Sequence, residues 1–204
     1  MAWDVFWRVF IKPKETLPEV VAAASFKSGA KIYFLFGVVF GLLLALLVMA
    51  LGGLVSAFVP DLGKFVAAFG LVSLVLLPVG LGLFEVVTSV IAMGVMYVIA
   101  RLFGGKAGFG SFFGTMAVLA VPVVVAYLIA SFIPLLGPVL SLVLFFYNVY
   151  LYVLAYKAVF GFSTLRALVA YLLVPILIVV LLVVIMVSIV MPNPAMLANA
   201  ARAR

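Results

Sequence analysis

The chain has 204 residues, 70% of them apolar and 8% charged, against roughly half and roughly a quarter in soluble domains. Its net charge is +7 and it has neither cysteine nor histidine. So little polar surface cannot coat a globule in water, and a bilayer is the natural solvent. The missing residue types remove the usual transition-metal ligands and the commonest general base.

The opening residues, MAWDVFWRVFIK, lack the basic lead, unbroken apolar stretch and small-residue cleavage site of a secretory signal. Wound as a helix, they place Trp3, Phe6, Trp7 and Phe10 on one face and Asp4, Arg8 and Lys12 on the other. That division suits a helix in the headgroup region, with Trp3, Trp7 and Phe10 as anchors; packing on the chain's own helices is the alternative. Pro13 ends this helix, and Thr16-Leu17-Pro18-Glu19 offers a capping box for a second one, to about Lys27. Residues 1–31 then form a cytoplasmic interfacial segment, with Lys31 at the membrane edge.

Residues 32–58 carry no charge and form a first span. Within it Gly37 and Gly41 make a GxxxG, a close-packing face inside one chain or between two copies of a homo-oligomer. Pro60 to Lys64 is a polar turn. The apolar stretch from Phe65 to Phe103 exceeds one span and is interrupted by Pro78, Gly80 and Gly82. A short re-entrant or interfacial helix is expected over 65–77, then a second span over 79–103. Spans follow over 115–132 (kinked at Pro122), 139–160 and 168–191 (kinked at Pro175), and 192–204 is a short tail. The expected fold is therefore an all-α integral membrane protein with five transmembrane helices in residues 32–191.

Charge bias orients it. With five spans and the N-terminus inside, Arg8, Lys12, Lys14, Lys27, Lys31, Arg101, Lys106, Lys157 and Arg166 face the cytoplasm, and Lys64, Arg202 and Arg204 the exterior. A sixth span over 65–77 would weaken this contrast, and loop lysines and arginines set orientation. The same asymmetry reads the positive charge as facing anionic lipid rather than nucleic acid.

Five glycines lie between Gly104 and Gly114, with Lys106 among them. Their spacing fits neither a Walker A loop nor a dinucleotide fingerprint, and no strand precedes them. They read as a cytoplasmic reversal, with Ser111 as N-cap of the third span. No catalytic or metal constellation can be assembled from five scattered acidic residues, so neither an enzyme nor a cofactor is expected. Glu85 is the one charge within a span. About 24 Å from Arg101 by helical rise, it falls in the outer third, where it either marks a pathway or snorkels outward toward Lys64. Asn148, with Tyr147 beside it, is either an interhelical hydrogen bond or a ligand site. Glu85, Asn148 and Tyr147 are thus the candidate polar site within the membrane.

Three stretches in order carry a resemblance: KPKETL (12–17), FGGKAGFGSFFGTMAVLAVP (103–122) and YNVYLYVLAYKAVFGFSTLRALVA (147–170). Together they resemble the Yip family, polytopic membrane proteins whose eukaryotic members interact with Ypt/Rab GTPases. The resemblance implies five spans, a cytoplasmic N-terminus, and a non-enzymatic role in membrane trafficking or organisation. Partners would bind at the cytoplasmic face, where Arg101, Lys106, Ser111, Lys157, Ser163 and Arg166 lie. The eukaryotic members' long N-terminal region with its D-L-Y-G-P motif has no counterpart here. A short prokaryotic-type member of a cell membrane is the closer likeness, and GTPase binding is not expected to carry over. The leading expectation is a scaffold acting on lipids or partner proteins. A small transporter or lipid-translocating protein built on breaks around Glu85 is the rival, and an accessory subunit of a larger complex is a third.

Overall fold

The computed structural model describes residues 4–190. Trp3, Arg202 and Arg204 lie outside them. Seven helices follow one another: α1 (Asp4–Ile11), α2 (Pro13–Ala23), α3 (Phe26–Ser56), α4 (Pro60–Leu102), α5 (Phe109–Ser131), α6 (Gly137–Phe160) and α7 (Thr164–Val190). Helices α3 to α7 are each long and apolar enough to cross a bilayer, giving an all-α polytopic membrane protein with no strand among the described residues.

Helix α5 is the central post. Phe112 through Leu119 are all buried, as a helix must be when apolar on every side and surrounded by others. It touches α1, α2, α3, α4 and α6, while α7 closes the wall between α4 and α6. The tightest packing lies at the end where α5 begins and α6 finishes. There Phe112, Met116 and Leu119 meet Leu151, Tyr156 and Phe160, together with Ala167, Val9 and Val20. Toward the opposite end the helices turn apolar side chains outward; Ile176 to Val187 of α7 are all about half exposed or more. Such a surface belongs in hydrocarbon, where helices satisfy their own backbone groups.

Helices α3 and α4 form a long hairpin zipped by small residues. Gly29, Tyr33, Gly37, Gly41 and Ala45 recur every fourth position on the buried face of α3. A Cβ on Gly37 would stand 2.5 Å from the Leu81 carbonyl oxygen, and one on Gly41 2.6 Å from that of Leu77. The GxxxG therefore packs within the chain, against α4, and a homo-oligomer through Gly37 and Gly41 would require the hairpin to open.

Several local expectations are corrected. Residues 65–77 are not a separate helix; α4 runs unbroken through Pro78, Gly80 and Gly82. Transmembrane helices tolerate such residues because neighbouring helices take up the freed backbone groups, and here the backbone at Leu77–Pro78 packs on Gly41. The Thr16 capping box does not form. Helix α2 starts earlier, with Pro13 in its first turn, where the missing N–H is no loss, and the Thr16 hydroxyl donates to the Lys12 carbonyl at 3.0 Å. A capping box forms instead between Ser25 and Ser28 and starts α3. Ser111 is not an N-cap, because α5 opens at Phe109 with Gly108 as its N-cap.

Candidate functional site

The N-terminal helices are fastened to the bundle. Val5 and Val9 of α1 and Leu17 and Val20 of α2 are buried in the main core. The Tyr147 hydroxyl on α6 donates to the Phe10 carbonyl, and the two rings meet edge-on at 5.1 Å. Ser111 donates to the Val21 carbonyl at 3.4 Å. The buried stripe is Val5–Val9 rather than the aromatic one, so α1 packs on the chain's own helices. Trp7 is 43% exposed. Phe10 is partly buried, as a lock rather than an anchor.

The outer face of this helical pair is charged. Arg8 meets Glu19 at 2.7 Å and Asp4 at 3.4 Å, and Lys12 faces Glu15 at 3.8 Å. The Glu19 hydrogen bond is the main cause holding the Arg8 guanidinium above its ordinary range. Exposed pairs of this kind contribute little stability; they display both signs of charge on one surface. Lys14 is exposed beside them.

The glycine-rich segment between α4 and α5 shapes the same end of the molecule. Gly104 adopts φ +87, and Gly105 returns its N–H to the Ala100 carbonyl at 2.9 Å, a glycine-based helix stop. Arg101 in the last turn of α4 donates to the Gly105 carbonyl at 3.0 Å, while Lys106 is exposed in the loop. A Cβ on Gly114 would strike the backbone of Ser25 at 2.7 Å; this glycine seats the link between α2 and α3. Gly161, at φ +70, ends α6. Lys157 in its last turn donates to Thr164 at 2.8 Å, the Ser163 hydroxyl accepts from the Arg166 N–H at 3.4 Å, and Arg166 lies 5.9 Å from the Phe162 ring. The cytoplasmic-face residues expected from the sequence thus sit on helix ends and short connections. None of them forms a cluster suited to acid–base chemistry, and the described residues hold no group of three or more metal-ligating side chains.

The three intramembrane candidates are not brought into one contact. Tyr147 serves the N-terminal lock. Asn148 has a buried side-chain oxygen with no hydrogen-bond partner, so the expected interhelical bond is not made. Glu85 accepts from Ser89 at 3.4 Å and lines a cleft between α3, α4 and α5 with Tyr33. Lys64 is not its partner, since it pairs with Asp61 at 3.5 Å at the hairpin tip. Nor is Glu85 far from the N-terminal edge of α3. It shares its cleft with Ile32 and Tyr33 of α3. Tyr33 was missed as a site residue because a lone tyrosine near a membrane edge reads as an interfacial aromatic.

Seven helices, one of them a buried central post and five able to span, define a multi-pass integral membrane protein with a docked N-terminal helical pair. Residues 7–186 match the Yip1 domain. The chain belongs to the Yip family. Searches of curated proteins and of solved structures returned no match.

Proposed function

We propose that this Yip-family protein is a non-catalytic membrane organiser, oriented with its N-terminus in the cytoplasm of a prokaryotic cell and its C-terminus outside. The observation that carries this is the docked α1–α2 pair. It is anchored through Val5, Val9, Leu17, Val20 and Tyr147 while Arg8, Lys12, Lys14, Glu15 and Glu19 all face outward. A fixed, mixed-charge face beside an indole is suited to lipid headgroups and to partner proteins that approach along the inner leaflet. It has no reacting group to offer a substrate, and the partners are therefore lipid and protein surfaces.

Trp3 and Trp7 are the chain's two indoles, so Trp3→Phe leaves Trp7 as the sole emitter. In proteoliposomes, lipids brominated near the headgroup should quench Trp7 more strongly than lipids brominated at the chain ends. Emission at the wavelength of indole in water, insensitive to every brominated lipid, would remove the interfacial seat from the proposal.

A further inference from the structure

The two turns at the end opposite the docked pair are unlike. The α3–α4 turn carries Asp61 and Lys64, both exposed and paired with each other. The α5–α6 turn, 132–136, is apolar throughout, and no charge occurs anywhere between Lys106 and Lys157. Phe132 and Leu136 are exposed and Leu135, at the apex, is 92% exposed. Leu135 also adopts φ +63, a conformation that glycine takes at far less cost. A large apolar side chain at the most exposed and most strained point of a turn is ill suited to water.

The turns also end at different levels. Helices α3 and α5 run in the same direction, since Gly29 packs on Gly114 and Phe36, further along, shares a wall with Val121 and Val124. From the Gly29–Gly114 level α3 continues to Ser56 and α5 only to Ser131, roughly ten residues fewer, or about 15 Å. The hairpin shaft that passes the α5–α6 turn is itself fit for hydrocarbon: Leu51, Leu54, Phe69 and Leu71 are more than half exposed, with no charge on it short of Asp61 and Lys64. Measured from the level of Lys31, Ser131 stands about 22 Å along, inside a hydrocarbon core of about 30 Å.

A turn can enter lipid only if its backbone is satisfied. The N–H groups of Phe132, Ile133, Leu136 and Gly137 return to carbonyls between Ile129 and Pro134, and the Ser131 hydroxyl donates to the Leu128 carbonyl at 2.7 Å. Pro134 and Pro138 have no N–H to satisfy. The Leu135 N–H makes no such bond, and just beneath the headgroups a lipid ester carbonyl can accept it. We propose that the α5–α6 turn is a lipid-embedded tip, seated among the acyl chains just beneath the headgroups of the leaflet opposite the docked pair, with Leu135 at its apex. Lipid closes over this pair of helices, while the α3–α4 hairpin beside it reaches the surface. The inference goes beyond the reading of the docked pair and holds whichever side that pair faces.

Two measurements on the full chain test it, both at a residue that touches little of the bundle. In cells permeabilised so that both membrane faces are open, Leu135→Cys should not label with a membrane-impermeant maleimide while Asp61→Cys does. Dissolving the membrane in detergent should bring Leu135→Cys up to the Asp61→Cys rate, and Leu136→Cys should behave like Leu135→Cys. In proteoliposomes, Leu135→Trp in a chain carrying Trp3→Phe and Trp7→Phe should emit in the blue and lose intensity to lipids brominated on the acyl chain. Labelling of Leu135→Cys in membranes at the Asp61→Cys rate would put the turn in water and overturn the proposal. Blue emission untouched by every brominated lipid would overturn it too, since a protein surface would then cover the turn. The Trp7 quenching experiment does not involve this turn, so a failed tip and a failed membrane seat are told apart.

Discussion

Individual residues show where this chain departs from an average apolar bundle. Gly161 stops α6 at φ +70, a conformation in which a Cβ costs on the order of 1–2 kcal/mol. Gly161→Ala should therefore lower unfolding stability in detergent by about 1 kcal/mol, with Gly161→Asn costing less. Gly53 is the internal control: it lies inside α3 with nothing near its missing Cβ. Gly53→Ala should be neutral or stabilising by up to about 1 kcal/mol. Asn148 makes the opposite kind of prediction. Its buried oxygen is orphaned, and a buried unsatisfied acceptor costs about 1–3 kcal/mol. Asn148→Leu should then leave stability unchanged or raised by thermal unfolding, and a clear loss would show that the amide has a partner after all. Gly161 could be found from sequence because a glycine after an apolar run marks a helix end. Tyr33 could have been found too. It continues the four-residue stripe of Gly29, Gly37, Gly41 and Ala45, and that register places it on the packed face rather than at the interface.

At the scale of helices, apolar length was enough to locate the spans, because a membrane helix needs only a long uncharged run. Boundaries and breaks were less legible. Pro78 with Gly80 and Gly82 spells a break in water, yet α4 continues through them because Gly41 lets α3 press close against the backbone there. Gly41→Leu should accordingly pry the α3–α4 hairpin apart, a loss of more than about 2 kcal/mol by overpacking, seen as faster hydrogen exchange in α3 and α4. The docking of α1 was hidden for another reason: its aromatic stripe outweighs its valine stripe in apparent amphipathicity. Shape decides instead, since Val5 and Val9 fit against α5 where indoles would not. Val9→Asp would bury a carboxylate with no partner. It should release residues 4–23 to protease while α3 to α7 stay protected; equal protection of both regions would refute the docking role.

The whole molecule is asymmetric along its length. A compact core, the docked N-terminal pair and most of the positive charge share one end. From the other end extend the α3–α4 hairpin and an apolar α7. Helix α4 alone is 43 residues, about 65 Å at the helical rise, against a hydrocarbon core of about 30 Å. It can fit the hydrocarbon only by tilting or bending and otherwise projects beyond it, with the Asp61–Lys64 pair at its hairpin tip. In the proposed orientation the charged docked pair faces the cytoplasm while this tip faces outward. The chain has no cysteine of its own, so single cysteines can report on it directly, and replacing acidic residues leaves the lysine and arginine balance untouched. The decisive measurement is labelling of Asp61→Cys and Glu15→Cys in intact cells with a membrane-impermeant maleimide. Asp61→Cys should label in intact cells and Glu15→Cys only after permeabilisation; the reverse pattern, or labelling of both in intact cells, would contradict the proposed orientation.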